Sequence, residues 1–309
     1  MGESAGLRWG VERRLEFIEF RLLWEGGVNR ADITDRFGVS VPQASKDLSL
    51  YQSLAPENIT YDRSEKRYFA AKTFQPRFLK LDADRYLSQL RTVADAALDL
   101  EESWLSAPPP FEAVPMPHRH VDPAILRATI DAIRERKALE IRYQSLSTNR
   151  PEPMWRWISP HAFAFDGNRW HVRAFCHIDR MFKDFLLPRI LKTRATAPAE
   201  ANPQDDAIWN EIITVGLKPN PGLTDEQKRV IAQDFGVKGE RLDVRVRLAL
   251  LYYLLRRLDL HDFEEAKRPA REQHVVLANR DEVRRALKRA QAGSLASDPD
   301  TPLAASAGR

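Results

Sequence analysis

The sequence predicts a multidomain α+β protein, and three observations carry that expectation. Residues 30–53 read as helix, tight turn, helix. Residues 138–190 alternate apolar and polar side chains between turn signals, as short strands do. The C-terminal third returns to mixed helical and strand periods. A length of 309 residues accommodates two or three domains, and 43% hydrophobic residues can fill their cores.

The elements follow in chain order. Residues 9–24 form an amphipathic helix that presents Leu15, Phe17, Ile18 and Leu22 for packing. Ile33 and Phe37 sit four apart on a short helix, and Gly38 follows where a turn needs positive φ. Ser40 is the N-cap of the next helix, Pro42 lies in its first turn, and Val41, Ala44 and Leu48 recur at helical spacing. A hairpin follows, with strands Ile59–Asp62 and Arg67–Ala70 around a turn at 63–66. Helix-turn-helix plus hairpin is a winged helix, whose second helix enters a DNA major groove. Residues 81–105 and 122–137 read as helices on either side of the breaker Pro108–Pro110. Strands are expected at 138–145, 155–158, 161–165, 168–176 and 182–187, with Asp166-Gly167 as a hairpin turn. They suggest a small barrel or sandwich. Residues 195–222 are expected to wander over the surface, and 224–235, 248–259 and 280–292 to be helical. Residues 273–277 are expected to form a strand. The apolar residues of Arg245–Arg257 nearly encircle a helix and so need cover on more than one side. Arg256 and Arg257 could alternatively reach a ligand on a partner's barrel. The boundaries are 1–80 for a winged head, 81–137 for a helical connector, 138–194 for the barrel, 195–292 for a C-terminal unit, and 293–309 for a disordered tail.

Composition narrows the function classes. One cysteine, Cys176, excludes an internal disulfide and a multi-cysteine zinc site, and it suits a reducing cytoplasm. No signal-peptide pattern or membrane-length apolar run is present, so a cytoplasmic protein without membrane contact is expected. With 13 glycines, no phosphate-binding loop and no nucleophile elbow, the sequence offers no enzyme motif. No cofactor or metal is expected; the spacing of His118, His120, Cys176 and His177 fits no zinc motif. The net charge of +4 is unevenly spread: residues 138–194 hold ten basic against five acidic groups, whereas the head is only +2. A second anion-facing surface beyond the head is therefore expected.

The central stretch is similar to the WYL domain of bacterial transcriptional regulators. The resemblance rests on Tyr143–Ser145, Arg156–His161, Asp166-Gly167, Arg169–Cys176 and Phe182–Ile190. The name-giving triplet reads Trp170-His171-Val172 here, with histidine for tyrosine and valine for leucine. With Gln43–Leu48, Leu54–Pro56, Tyr61-Asp62 and Phe74–Pro76 in the head, the chain resembles the phage-defence-associated BrxR/CapW type over about residues 10–290. That resemblance implies an Sm/SH3-like barrel, a C-terminal dimerisation extension, a homodimer and repression of a nearby defence operon.

Two sets of side chains carry the expected chemistry. In the head, Gln43 can pair with adenine, and Lys46 can reach guanine or phosphate. Ser40, Ser45 and Ser49 can bond phosphates or base edges, and Arg63, Lys66 and Arg67 of the wing can grip the backbone. A dimer of such heads reads an inverted repeat in double-stranded DNA. In the barrel, Tyr143, Ser145, His161, His171, Arg173, Asp184 and Arg189 are polar groups set among apolar strands. On a free face they would suit a nucleic-acid or nucleotide effector. The competing reading is an Arg173–Asp184 structural ion pair with a satisfied His161. Histidine at 171 would also offer a pH-dependent charge. Trp157 and Trp170 are expected in the core. An alternative function is an RNA- or single-strand-binding accessory module without operator specificity.

Overall fold

The computed structural model describes residues 7–294 apart from His118, Ser147, Lys238 and 264–267. The chain divides into two units, Met1–His118 and Arg119–Arg309.

The first unit contains α1 (Trp9–Trp24), α2 (Arg30–Phe37), α3 (Val41–Leu54), β1 (Ile59–Asp62), β2 (Arg67–Ala70) and α4 (Ala83–Ala94). Asn29 opens α2 with a capping box shared with Asp32, and Gly38 ends it in the left-handed region at φ 62°. The Ser40 side chain accepts from the Gln43 backbone N–H and so starts α3 immediately. Leu15, Ile18 and Phe20 of α1, Ile33 of α2, and Ala44, Leu48 and Tyr51 of α3 form one core. Burying each such large side chain contributes about 1.5–3 kcal/mol. Tyr86, Trp104 and Leu105 join this same core. Residues 81–105 therefore complete the head rather than forming a separate connector, because their apolar face is needed to cover α1.

One buried carboxylate braces this unit. Glu19 is fully buried and accepts the backbone N–H groups of Arg77, Phe78 and Leu79 and the Tyr51 hydroxyl. The segment leaving the wing is thus pinned to α1. Burial, and then the Glu19 charge, push the Tyr51 hydroxyl up from its ordinary pKa.

The second unit begins with α5 (Pro123–Glu135), capped by Asp122. Next comes an antiparallel sheet of β3 (Lys137–Tyr143), β4 (Met154–Phe165), β5 (Trp170–Cys176), β6 (Met181–Leu186) and β7 (Ile190–Pro198). The strand order is β6-β5-β4-β3-β7. The strands expected at 155–158 and 161–165 are one strand with a register shift between Pro160 and Ala162. Ile125 and Ala132 of α5 pack on Leu139, Ile141, Ile158, Val172, Ala174 and Phe185.

The chain continues through α6 (Ala207–Asn210), β8 (Ile212–Pro219), α7 (Asp225–Asp234), β9 (Leu242–Arg247), α8 (Leu251–Arg257), β10 (Val275–Leu277) and α9 (Arg280–Ser294). The second sheet has the order β10-β8-β9. Two expectations change here. Residues 212–219 are the middle strand of this sheet, not a wandering surface segment. Residues 245–247 belong to β9, so Arg245–Arg257 is a strand end plus a short helix, with Leu251 and Leu255 buried. The backbone of α9 extends through Ser294; the rest of the expected tail, and His118, lie outside the described residues. Among the described residues no helix is long and apolar enough to cross a membrane.

Candidate nucleic-acid interface and sensor faces

Helix α3 buries Ala44, Asp47, Leu48 and Tyr51. It turns the opposite stripe outward: Lys46 and Ser49 are exposed and Ser45 is half-exposed. Ser40 is occupied as the helix cap. Gln43 is half-buried, and its Nε2 donates to Asp47 Oδ1 at 3.0 Å. Asp47 in turn accepts Arg14 Nε at 2.6 Å. This chain fixes the Gln43 side chain while leaving its carbonyl and one amide hydrogen for a base edge. Arg14 and Asp47 are positioning residues that the sequence did not reveal, because they lie 33 residues apart.

In the wing, Arg63 and Lys66 are exposed at the turn, and Lys66 has φ 51°. Asp62 Oδ1 accepts the Ser64 hydroxyl and the Ser64 and Glu65 backbone N–H groups, which closes the turn. Arg67 departs from expectation. Its Nη2 donates to the Gly27 carbonyl at 2.9 Å and lies 3.7 Å from Asp32, so it braces the body of the head rather than the wing tip.

The expected barrel site is not one constellation. Alternation along the strands sends its residues to opposite faces. His171, Arg173 and Asp184 share the face that the C-terminal segment covers. Arg173 is 2% exposed; its Nε and Nη2 donate to Asp206 at 2.8 and 3.0 Å, and its Nη1 to Asp184 at 3.3 Å. His161 Nε2 lies 3.0 Å from Asp206 Oδ2. The ion pair considered for Arg173 therefore exists, but its main partner is Asp206, a residue to which no sequence signal points. Burial raises the Asp206 carboxyl pKa, yet hydrogen bonds from His161 and Arg173 outweigh it and hold the group at about 2. Burial opposes the Arg173 charge too, and Asp184 and Asp206 overcome it. His171 Nε2 lies 3.0 Å from Asp166, and its ring lies 5.0 Å from that of Tyr253 in α8. This face is not free, because α6 and α8 supply its cover. A cavity of about 230 Å³ remains beside His161, between Ile133, Arg136, Ser159 and Phe182.

Tyr143 and Ser145 are buried on the other side, with the Tyr143 hydroxyl accepting the Leu186 backbone N–H at 3.2 Å. Arg189 is half-buried, and its carbonyl accepts the Gln144 backbone N–H. Arg156 is 3% exposed beside the Tyr143 ring, and its Nε and Nη2 have no hydrogen-bond partner among the described residues. Lys183 Nζ sits 3.0 Å from Asp179, which also binds Arg150. Despite burial, the hydrogen bonds from Arg150 and Lys183 hold the Asp179 carboxyl far below the usual range. Arg156 and Lys183 are additional candidates; both are legible as cations in the core phase of a strand, two residues from Ile158 and Phe185. Trp170 also departs from expectation: it is 50% exposed beside Phe165, whereas Trp157 is half-buried.

Residues 10–92 match the family described as the BrxR transcriptional regulator winged helix-turn-helix domain. Residues 124–195 match the WYL domain, and 212–283 the BrxR transcriptional regulator C-terminal dimerization domain. A DNA-binding transcriptional repressor CapW of Stenotrophomonas maltophilia is 40% identical over 282 residues, covering 91% of this chain and 93% of that protein. The chain belongs to the BrxR/CapW family of WYL-domain transcriptional regulators. A CapW repressor of Pseudomonas aeruginosa is 42% identical over 279 residues, covering 90% and 92% of the two chains. One of Escherichia coli is 40% identical over 283 residues, covering 92% and 94%. Set on these BrxR/CapW segments, Asp206 falls in the stretch between the WYL domain and the dimerization domain, and is tied to the WYL domain through Arg173 and His161.

Proposed function

We propose that this chain is a homodimeric, sequence-specific DNA-binding transcriptional repressor of a phage-defence operon, acting in the cytoplasm. Its WYL domain binds a nucleic-acid or nucleotide signal. The observation that carries the reading is α3: a helix capped at its start, anchored by four buried residues, with Lys46 and Ser49 exposed and Gln43 held by Asp47. Such a helix presents donors and acceptors to base edges from its N-terminal half. One head makes few phosphate contacts, so two heads on an inverted repeat supply the affinity. The names of the relatives agree with this reading, and the match at 212–283 to a dimerization domain supports the homodimer. The defence-operon assignment comes from the family resemblance. The WYL ligand is supported by buried Arg156, whose Nε and Nη2 lack partners among the described residues.

A gel shift on the chain's own upstream intergenic DNA tests the proposal. Tight, salt-sensitive binding to an inverted repeat is expected. Equal binding to unrelated duplexes, with a preference for single strands, would overturn it in favour of a general RNA- or single-strand-binding module.

A further inference from the structure

A cleft of about 350 Å³ opens where the turn between β4 and β5 meets α8. Arg119, Arg169, Arg256 and Arg257 line it, with Asp166 and Tyr253. Its volume lies in the range of small-molecule sites. The single carboxylate is already used. Asp166 Oδ2 accepts from Arg169 Nε at 2.9 Å and lies 3.0 Å from His171 Nε2, while Oδ1 accepts two backbone N–H groups. Burial raises the Asp166 pKa, but these hydrogen bonds bring it to about 2, so it stays an anion committed to the turn.

The other cations are not committed. Arg119, Arg256 and Arg257 form no ion pair and no side-chain hydrogen bond among the described residues, and all three are exposed. Arg257 lies flat on the turn: a Cβ at Gly167 would come within 2.7 Å of its Nη1. Gly167 has φ 95°, so glycine both makes the turn and lets the guanidinium approach. Several guanidinium groups around one satisfied carboxylate repel each other in water and gain from a multiply charged anion. Guanidinium matches phosphate in a bidentate way.

We infer that this arginine cleft binds the phosphates of the effector, a nucleotide or the end of a single strand. This inference rests on the reading of the chain as an effector-responsive repressor, and gives that effector an address distinct from the buried Arg173 network. The cleft joins two domains. Arg169 belongs to the WYL turn, whereas Arg256 and Arg257 close α8 of the dimerization domain. Tyr253, one turn earlier on α8, contacts His171 and donates to Asp184 at 3.4 Å. A phosphate held by both sides ties the turn to α8. A conformation that closes the cleft is then favoured over one that opens it, which is the differential affinity regulation requires.

The test uses the full chain, wild-type and the double variant Arg256→Gln/Arg257→Gln, whose substitutions are on exposed positions. Two fluorescent probes are titrated by anisotropy: labelled adenosine monophosphate and a short 5′-phosphorylated oligothymidylate. At least one probe is expected to bind the wild type and to bind the double variant ~10-fold or more weakly, the scale of losing charge-assisted hydrogen bonds. Which probe binds separates a free nucleotide from a strand end. Binding of the upstream duplex without probe is expected to be equal for both proteins, and the probe to shift it only in the wild type. Failure of both probes to bind, or equal binding by both proteins, would overturn the inference and leave the repressor reading standing. Weaker duplex binding by the double variant would also overturn it, by making the cleft part of the operator surface. Arginine-dependent probe binding by a chain that ignores its upstream duplex would support the cleft and sink the repressor reading instead.

Discussion

Replacing Arg173 with alanine tests how the WYL domain is held to the segment that follows it in the chain. The side chain is 2% exposed and serves two carboxylates, Asp206 by two hydrogen bonds and Asp184 by one. Its loss leaves Asp206, 1% exposed, with only His161 and the backbone N–H of Trp209 among the described residues. Removing one partner of a buried pair costs about 3–5 kcal/mol, because an uncompensated charge stays behind. At about 2–4 °C per kcal/mol for a unit of this size, the expected fall in Tm is roughly 6–20 °C. Circular dichroism melts of the full chain read this directly, with gel shifts on upstream DNA at low temperature as a second readout. The double variant Arg173→Met/Asp206→Leu removes both charges and is expected to recover much of the loss, since an apolar replacement of a buried pair is often near neutral. A single variant melting within about 2 °C of wild type would refute the reasoning. Loss of effector response at unchanged stability would return Arg173 to the ligand site.

Three further outcomes are expected. Gln43→Ala should weaken operator binding by about 1–3 kcal/mol and relax preference at one base pair; an equal loss on all sequences would show that Gln43 does not read a base. Glu19→Gln places an amide NH2 against backbone donors and should cost the head at least about 2 kcal/mol in urea unfolding, whereas a loss under about 0.5 kcal/mol would mean the carboxylate is not the brace. The carboxyl groups of Asp166 and Asp206 sit at about 2, below the ordinary 3.8, so their stabilisation is fully present above 3.8 and is lost as pH falls towards 2. The Tm of the second unit should therefore fall over that window, and less steeply in Asp206→Asn; an identical slope in that variant would exclude Asp206 as a contributor.

Local signals made the head readable. Ser40, Gly38 and the alternating strands of the wing each specify backbone conformation within a few residues, so α2, α3, β1 and β2 fall where the sequence places them. The strands of β8 and β9 were hidden for a different reason. Gly216 interrupts β8, and the missing local preference is replaced by Asn279, whose side chain accepts the Gly216 N–H and donates to the Thr214 carbonyl from 63 and 65 residues away. In β9, Val244 and Val246 do alternate, but the leucine-rich run after them masks the change of period. At the candidate sites the residue types were legible and their partners were not. Arg173 announces itself as a cation in a strand, while Asp206, 33 residues on in a short capped turn, carries no mark of the pairing. The same holds for Gln43, whose orientation depends on Arg14 through Asp47.

Asp206 also caps α6, accepting the Trp209 N–H while it holds Arg173 and His161. Three strands of evolutionary freedom therefore meet at one side chain. A change there would unfasten a helix start, a guanidinium and an imidazole together, so substitutions in this family should arrive at positions 161, 173 and 206 as a set. Mechanically, such a knot transmits displacement whole or not at all, which favours a snap between discrete arrangements over a graded response.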